Sequence, residues 1–182
     1  MTETEVKIRW PEDRGDPRAT IEPLGYVEVS PRTLESDQLF DRDSQELRGS
    51  DRILRLRRAG SLAVVTYKGP AGRERYKSRE EIEFTVSDPE QFQTVLERLG
   101  FVPLFRYQKF RTTFQANGET GKVTVDETPI GVYLELEGAE SWIDLTAKRL
   151  GFDESQYITA SYAALYRTHR LRSPGAPADM VF

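Results

Sequence analysis

Glu3-Thr4-Glu5-Val6-Lys7-Ile8-Arg9-Trp10 decides the fold, because its alternation returns in the other charged strands of the chain. Successive side chains of an extended strand point to opposite faces, so Glu3, Glu5 and Lys7 share one face while Val6, Ile8 and Trp10 supply an apolar one. Alone, such a strand reads as the solvated edge of a sheet. Its recurrence changes the reading.

Working outward, Ile53-Leu54-Arg55-Leu56-Arg57-Arg58 sets Arg55 and Arg57 against Leu54 and Leu56. Leu62 to Lys68 puts Thr66 and Lys68 on one face, and Gly69-Pro70-Ala71-Gly72 turns the chain back into a strand with Arg79, Glu81 and Glu83 opposite Ile82 and Phe84. Lys109 and Arg111 oppose Phe110, Thr112 and Phe114. Asp126 opposes Val123 and Val125, and Glu135 and Glu137 oppose Leu134 and Leu136. The ionic faces thus carry acids (Glu3, Glu5, Glu81, Glu83, Asp126, Glu135, Glu137) and bases (Lys7, Arg55, Arg57, Lys68, Arg79, Lys109, Arg111) in equal number. Arginine and lysine pairs grip phosphate oxygens, and paired carboxylates bind hard divalent cations. Sorting the two onto separate strands suits a closed antiparallel barrel with the charged face inward around a wet tunnel, and apolar faces outward under helices.

The intervening segments read as supports. Asp13 to Gly25 predicts a short irregular helix, and Tyr26 to Ser30 and Asp37 to Asp41 two strands with a turn at Pro31. Ser87-Asp88-Pro89-Glu90 starts a helix with Phe92, Val95, Leu96 and Leu99 at helical spacing and a stop at Gly100. Ser141 is expected to cap a second helix ending at Gly151, and a last helix to cover Ala160 to Arg170. Residues 1–172 form one expected domain, and 173–182 read as a flexible C-terminal tail because Ser173-Pro174-Gly175-Ala176-Pro177-Ala178 has linker composition.

Composition narrows the chemistry. The 182 residues are 31% charged with a net charge of −4, which suits neither a disordered polyelectrolyte nor a basic nucleic-acid binder. Without cysteine there are no disulfides, thiolate nucleophiles or sulfur-ligated metals. The sole histidine, His169, lies among arginines at a helix end, so a histidine-based triad is not expected. A metal would take oxygen ligands and be Mg²⁺, Mn²⁺ or Ca²⁺. No apolar h-region or membrane-length apolar run occurs, giving the expectation of a soluble cytoplasmic protein without membrane or nucleic-acid partners, either monomer or homodimer.

In order and spacing, Glu3-x-Glu5-x-Lys7, Leu54-Arg55-Leu56-Arg57, Thr66-x-Lys68-Gly69-Pro70, Arg79-x-Glu81-x-Glu83, Lys109-x-Arg111, Asp126 and Glu135-x-Glu137 resemble the CYTH superfamily of triphosphate tunnel metalloenzymes. The likeness runs from residue 3 to about 166, and Ser161-Tyr162 resembles the closing segment of class IV adenylyl cyclases. It implies an α+β fold, an eight-stranded antiparallel tunnel barrel with helices packed outside, acting on a small-molecule linear triphosphate with Mg²⁺ or Mn²⁺. On that likeness Lys7, Arg55, Arg57, Lys68, Arg79, Lys109 and Arg111 would bind the phosphates. Glu3, Glu5, Asp126, Glu135 and Glu137 would hold the metal, and Glu81 and Glu83 would tune the tunnel or take a second ion. Glu5, Lys7, Arg57 and Glu137 would stand nearest the chemistry. Where relatives often carry Gln or His, then Asp, then Tyr, this chain has Glu35, Asp37 and Leu39. Hydrolysis of the triphosphate is the leading expectation. Formation of cyclic AMP and pyrophosphate from ATP is the alternative, and a non-catalytic polyphosphate- or nucleotide-binding module is a further one.

Overall fold

The computed structural model describes residues 2–72 and 75–182. Its strands are β1 (Thr2–Arg9), β2 (Tyr26–Asp41), β3 (Ile53–Ala59), β4 (Leu62–Lys68), β5 (Lys77–Thr85), β6 (Val102–Ala116), β7 (Lys122–Thr128) and β8 (Gly131–Glu137). They close into one antiparallel barrel in the order β1-β5-β4-β3-β2-β6-β7-β8, with β8 pairing back onto β1. The helices are α1 (Arg18–Ile21), α2 (Glu46–Gly49), α3 (Pro89–Arg98), α4 (Glu140–Arg149) and α5 (Tyr162–Arg172).

The period-two pattern turns the apolar sides of the strands outward. Val6, Ile8, Phe114, Val123, Leu134 and Leu136 pack beneath Ile143 and Ala147 of α4 and its C-cap Leu150. Across the barrel, Phe40, Leu56, Ala63 and Val65 lie beneath Leu96 of α3. Each such side chain taken from water contributes roughly 1.5–3 kcal/mol, so the helical coats hold the barrel from outside and leave its lumen to polar groups.

Local signals set the helix ends. Asp88 caps α3 by accepting from the Gln91 amide at 2.8 Å, and Ser161 caps α5 by accepting from the Ala164 amide at 3.3 Å. The second large helix departs from expectation. Its N-cap is Ala139, two residues before the expected Ser141, which lies inside the first turn. On α3, Val95 and Leu99 stay exposed, since the helix touches the sheet along one edge, through Leu96 and the half-buried Phe92.

Two further expectations are corrected. Residues 26–41 form one strand, with Pro31 absorbed in a bulge where the register against β6 shifts between Ser30 and Thr33. The helices pack outside the barrel as expected, and Ser161, Tyr162 and Ala163 at the start of α5 contribute to the tunnel wall. The tail does not fray. Met180 is buried and brackets Tyr107 by backbone bonds, its amide donating to Arg106 O (3.0 Å) and its carbonyl accepting from Gln108 N (2.8 Å). The register of β7 covers only Phe110 to Phe114 of β6, which leaves earlier backbone groups to be satisfied, and the tail does so. Ile158 does the same beside β1. Where β5 begins at Lys77, Ile158 exchanges both backbone bonds with Lys7 (2.9 and 2.8 Å).

Candidate functional site

The lumen is a cavity of about 190 Å³ whose wall includes every expected phosphate-binding base. Glu3, Glu5, Glu81, Glu83, Glu135 and Glu137 line it as well, whereas Asp126 lies one layer deeper and fully buried. Strand register explains the gathering, because sorted acids and bases on neighbouring strands become direct cross-strand pairs. Lys7 faces Glu135, Arg57 faces Asp37, Lys68 faces Glu81, and Arg111 faces Asp126.

These pairs are short. Lys7 Nζ lies 2.7 Å from Glu135 and 3.2 Å from Glu5, and Lys77 donates to the same Glu5 Oε1 at 2.6 Å. Arg57 donates to Asp37 at 2.9 Å and to Glu35 at 3.1 Å. Asp126 accepts from Lys109 (2.8 Å), twice from Arg111 (2.7 and 2.6 Å) and from the Tyr162 hydroxyl (2.7 Å), while Arg111 also donates to Glu135. Arg55 donates to Thr66 at 2.8 Å and contacts Glu83 at 3.2 Å. The buried charges of the wall thus largely compensate one another.

Titration behaviour divides the wall into a deep zone and a mouth. Against the penalty of burial, Arg57, Arg55 and Lys109 hold Asp37 below the usual carboxylate range, and Arg111 and Lys109 do the same for Asp126. Likewise, Lys7 outweighs burial at Glu135 and Glu5. At the mouth the sign reverses. Glu3 is pushed up to about 7 by burial and the charges of Glu81 and Glu137, and burial raises Glu137. Three lysines are pushed down, first by burial and then by a neighbouring cation: Arg55 beside Lys68, Arg111 beside Lys109, and Lys7 beside Lys77, which falls to about 8. Arg55 Nε and Arg79 Nε and Nη1 are buried without a hydrogen-bond acceptor.

Among the described residues no three acidic or histidine side chains are already gathered into a metal cage. Asp126 and Glu135 are engaged by cations from neighbouring strands. Glu3 and Glu137 are the expected ligands whose mutual repulsion a cation would relieve, and Glu5 sits opposite Glu137 in register with both its lysine contacts on Oε1. This all-oxygen set fits a hard divalent ion.

A second cavity of about 980 Å³ adjoins the tunnel, sharing Leu39, Ile53, Lys77, Arg79, Ser161 and Ala163 with it. Beyond that junction it is lined by Phe105, Leu104 and Tyr166, with Arg48, Arg52 and Arg167 around them. Lys77, Tyr107 and Lys122 also line the site and are not among the residues expected from sequence, although each extends an identified alternation, Lys77 by one step before Arg79, Tyr107 by one step before Lys109, and Lys122 by two steps before Asp126. Glu35 and Asp37 were noted only as a departure. Their pairing with Arg57 was invisible until β2 and β3 were in register.

The family model described as CYTH domain matches residues 1–162. A Methanocaldococcus jannaschii protein provisionally named adenylate cyclase is 29% identical over 145 residues, covering 79% of this chain and 81% of that one. A Vibrio parahaemolyticus structure, also provisionally named adenylate cyclase, superposes with a TM-score of 0.79 at 17% identity over 92% of this chain and 98% of that one. A Hippeastrum structure, titled as an adenylyl cyclase revealing a dominant triphosphatase activity, gives a TM-score of 0.67 at 20% identity over 92% and 96% of the two chains.

Proposed function

Since the chain belongs to the CYTH domain family, we propose that it is a divalent-metal-dependent enzyme that hydrolyses a linear triphosphate held in the charged tunnel. The observation that carries this reading is that two tunnel-lining arginines carry buried N–H groups that make no hydrogen bond among the described residues, Arg79 Nε and Nη1 and Arg55 Nε, the last with only a 3.4 Å ion pair to Asp37, in a wall where three lysines are crowded by other cations. Phosphate oxygens would satisfy both, accepting the orphaned hydrogen bonds and relieving the crowding.

In this mechanism Arg55, Arg57, Lys68, Arg79, Lys109 and Arg111 bind and orient the phosphate chain and neutralise charge as it shifts onto the leaving phosphates. Asp37 and Asp126 hold the arginines in place from behind, so little rearrangement accompanies the reaction. Glu3, Glu5 and Glu137 would hold Mg²⁺ or Mn²⁺, which supplies Lewis-acid neutralisation of phosphate oxygens and lowers the pKa of bound water. Water attacks the terminal phosphorus in line, the bridging P–O bond breaks, and the proton passes to solvent. No histidine is needed, in agreement with a tunnel that contains none.

The adjoining cavity favours keeping a second reading. With Phe105, Leu104 and Tyr166 beyond the Leu39–Ala163 junction, it can take the organic part of an organic triphosphate, and a ribose 3′ hydroxyl held there could replace water as the nucleophile. The test is a panel of tripolyphosphate, ATP and thiamine triphosphate assayed with Mg²⁺ or Mn²⁺ at mildly alkaline pH. Orthophosphate release, abolished by chelator, is expected. Cyclic AMP with pyrophosphate from ATP would move the protein to the cyclase reading, and tight binding without any product would make it a binding module.

A further inference from the structure

Glu35 is an acid set among bases that the proposed reaction needs. It lies on β2 opposite Lys109, it is buried, and its Oε2 sits 3.1 Å from Arg57 Nη1, 3.5 Å from Lys109 Nζ and 3.7 Å from Arg111 Nε. Three cations from two strands therefore converge on one oxygen. None of them gives that oxygen an aligned hydrogen bond, and Oε2 is an unsatisfied acceptor. Arg57 Nη1 bonds the other oxygen, Glu35 Oε1, at 3.1 Å, and the remaining aligned bonds run from Arg57 Nε to Asp37 and from Lys109 and Arg111 to Asp126. Asp37 and Asp126 anchor these tunnel-lining cations, and Glu35 is the extra anion set among them.

We propose that Glu35 is a specificity-determining residue whose carboxylate holds the three-cation pocket in place of a phosphate group. The inference rests on the triphosphate reading of the tunnel. With Glu35 present, the charges around this pocket are close to balanced, so a bare polyanion entering it gains little net attraction and meets a carboxylate at close range. A triphosphate whose charge is partly neutralised by a divalent cation meets less repulsion. Glu35 thereby makes the tunnel select the metal-bound form of its ligand, a discrimination by repulsion rather than by added contacts. An amide at this position would remove the repulsion and leave the anchors of Arg57, Lys109 and Arg111 untouched.

The test is calorimetric binding of a hydrolysis-resistant, methylene-bridged triphosphate to wild type, Glu35→Gln and Asp37→Asn, each in chelator and in Mn²⁺, with thermal melting to show that every variant is folded. Glu35→Gln is expected to bind the metal-free ligand at least about tenfold more tightly than wild type, since a unit charge within about 4 Å of a phosphate is removed. Its ratio of affinities with and without Mn²⁺ should shrink accordingly. Asp37→Asn, the same change of charge at an anchor, should weaken binding. Unchanged or weaker metal-free binding by folded Glu35→Gln overturns the proposal, as does an equal gain in Asp37→Asn, because overall tunnel charge would then suffice. If Glu35→Gln does not fold, Glu35→Ala takes its place, and failure of both marks Glu35 as a fold residue and ends the proposal. Wild type that binds in neither condition overturns the triphosphate reading itself, whereas wild type that binds only with Mn²⁺ while Glu35→Gln does the same overturns this inference alone.

Discussion

Arg79 and Arg57 line the same tunnel but stand in opposite energetic positions. Arg57 is bonded to Asp37 and Glu35, so Arg57→Ala strands buried acids and should cost on the order of 3–5 kcal/mol of stability together with turnover. Arg79 has no hydrogen-bond acceptor for Nε or Nη1 and only a 4.0 Å contact with Glu81. Arg79→Met should therefore lower turnover about a hundredfold or more while the melting temperature hardly moves, a contrast readable from paired kinetics and melts. Glu3 supplies a pH test. Its folded pKa of about 7 lies above the ordinary 4.5 of a glutamate, so the folded state binds the extra proton between those values and loses stability as pH rises through them. Metal-free Glu3→Gln should melt above wild type at pH 8, and the gap should close below about pH 4.5. A gap that persists in acid would show that Glu3 does not carry this strain.

Between elements, the tightest fit is α4 against the start of β7. A Cβ built on Gly121 would stand 2.3 Å from the Trp142 ring, whose Nε1 is fixed by a 2.6 Å bond to Glu119. Gly121→Ala must push α4 off the barrel and should cost about 1–3 kcal/mol, seen as a lower melting temperature, with the tunnel residues on the far face of the sheet unaltered. The elements themselves were mostly legible, since the Ser87–Glu90 signal does start a helix, with Asp88 as its cap, and the charged strands fall where alternation put them. What failed was local chemistry overruled by distant partners. Pro31 reads as a turn but is carried through as a bulge because β6 pairs on both sides of it. The linker-like tail docks because β6 left backbone groups for Met180 to satisfy.

For the whole molecule, the interior of ion pairs sets the response to acid. Asp37, Asp126 and Glu135 have folded pKa values below their unfolded ones, so their stabilisation is complete above the unfolded carboxylate range and is lost as pH falls through the folded values. Cooperative unfolding is expected below about pH 4, with a midpoint that salt barely shifts because the pairs are buried; circular dichroism at low and high salt checks this. No helix among the described residues is long and apolar enough to cross a membrane. Side-chain period belongs to the sequence by itself. An alternation of two with charge on one face and leucine, valine or phenylalanine on the other specified strands, an inward ionic face, and every charged residue that lines the tunnel except Lys77 and Lys122. Which acid meets which base is a matter of register, and register depends on closing the barrel through residues far apart in the chain. Only the tertiary structure could therefore decide that Glu35 stands among Arg57, Lys109 and Arg111, that Arg79 Nε and Nη1 find no acceptor among the described residues, and that the start of α5 lines the tunnel.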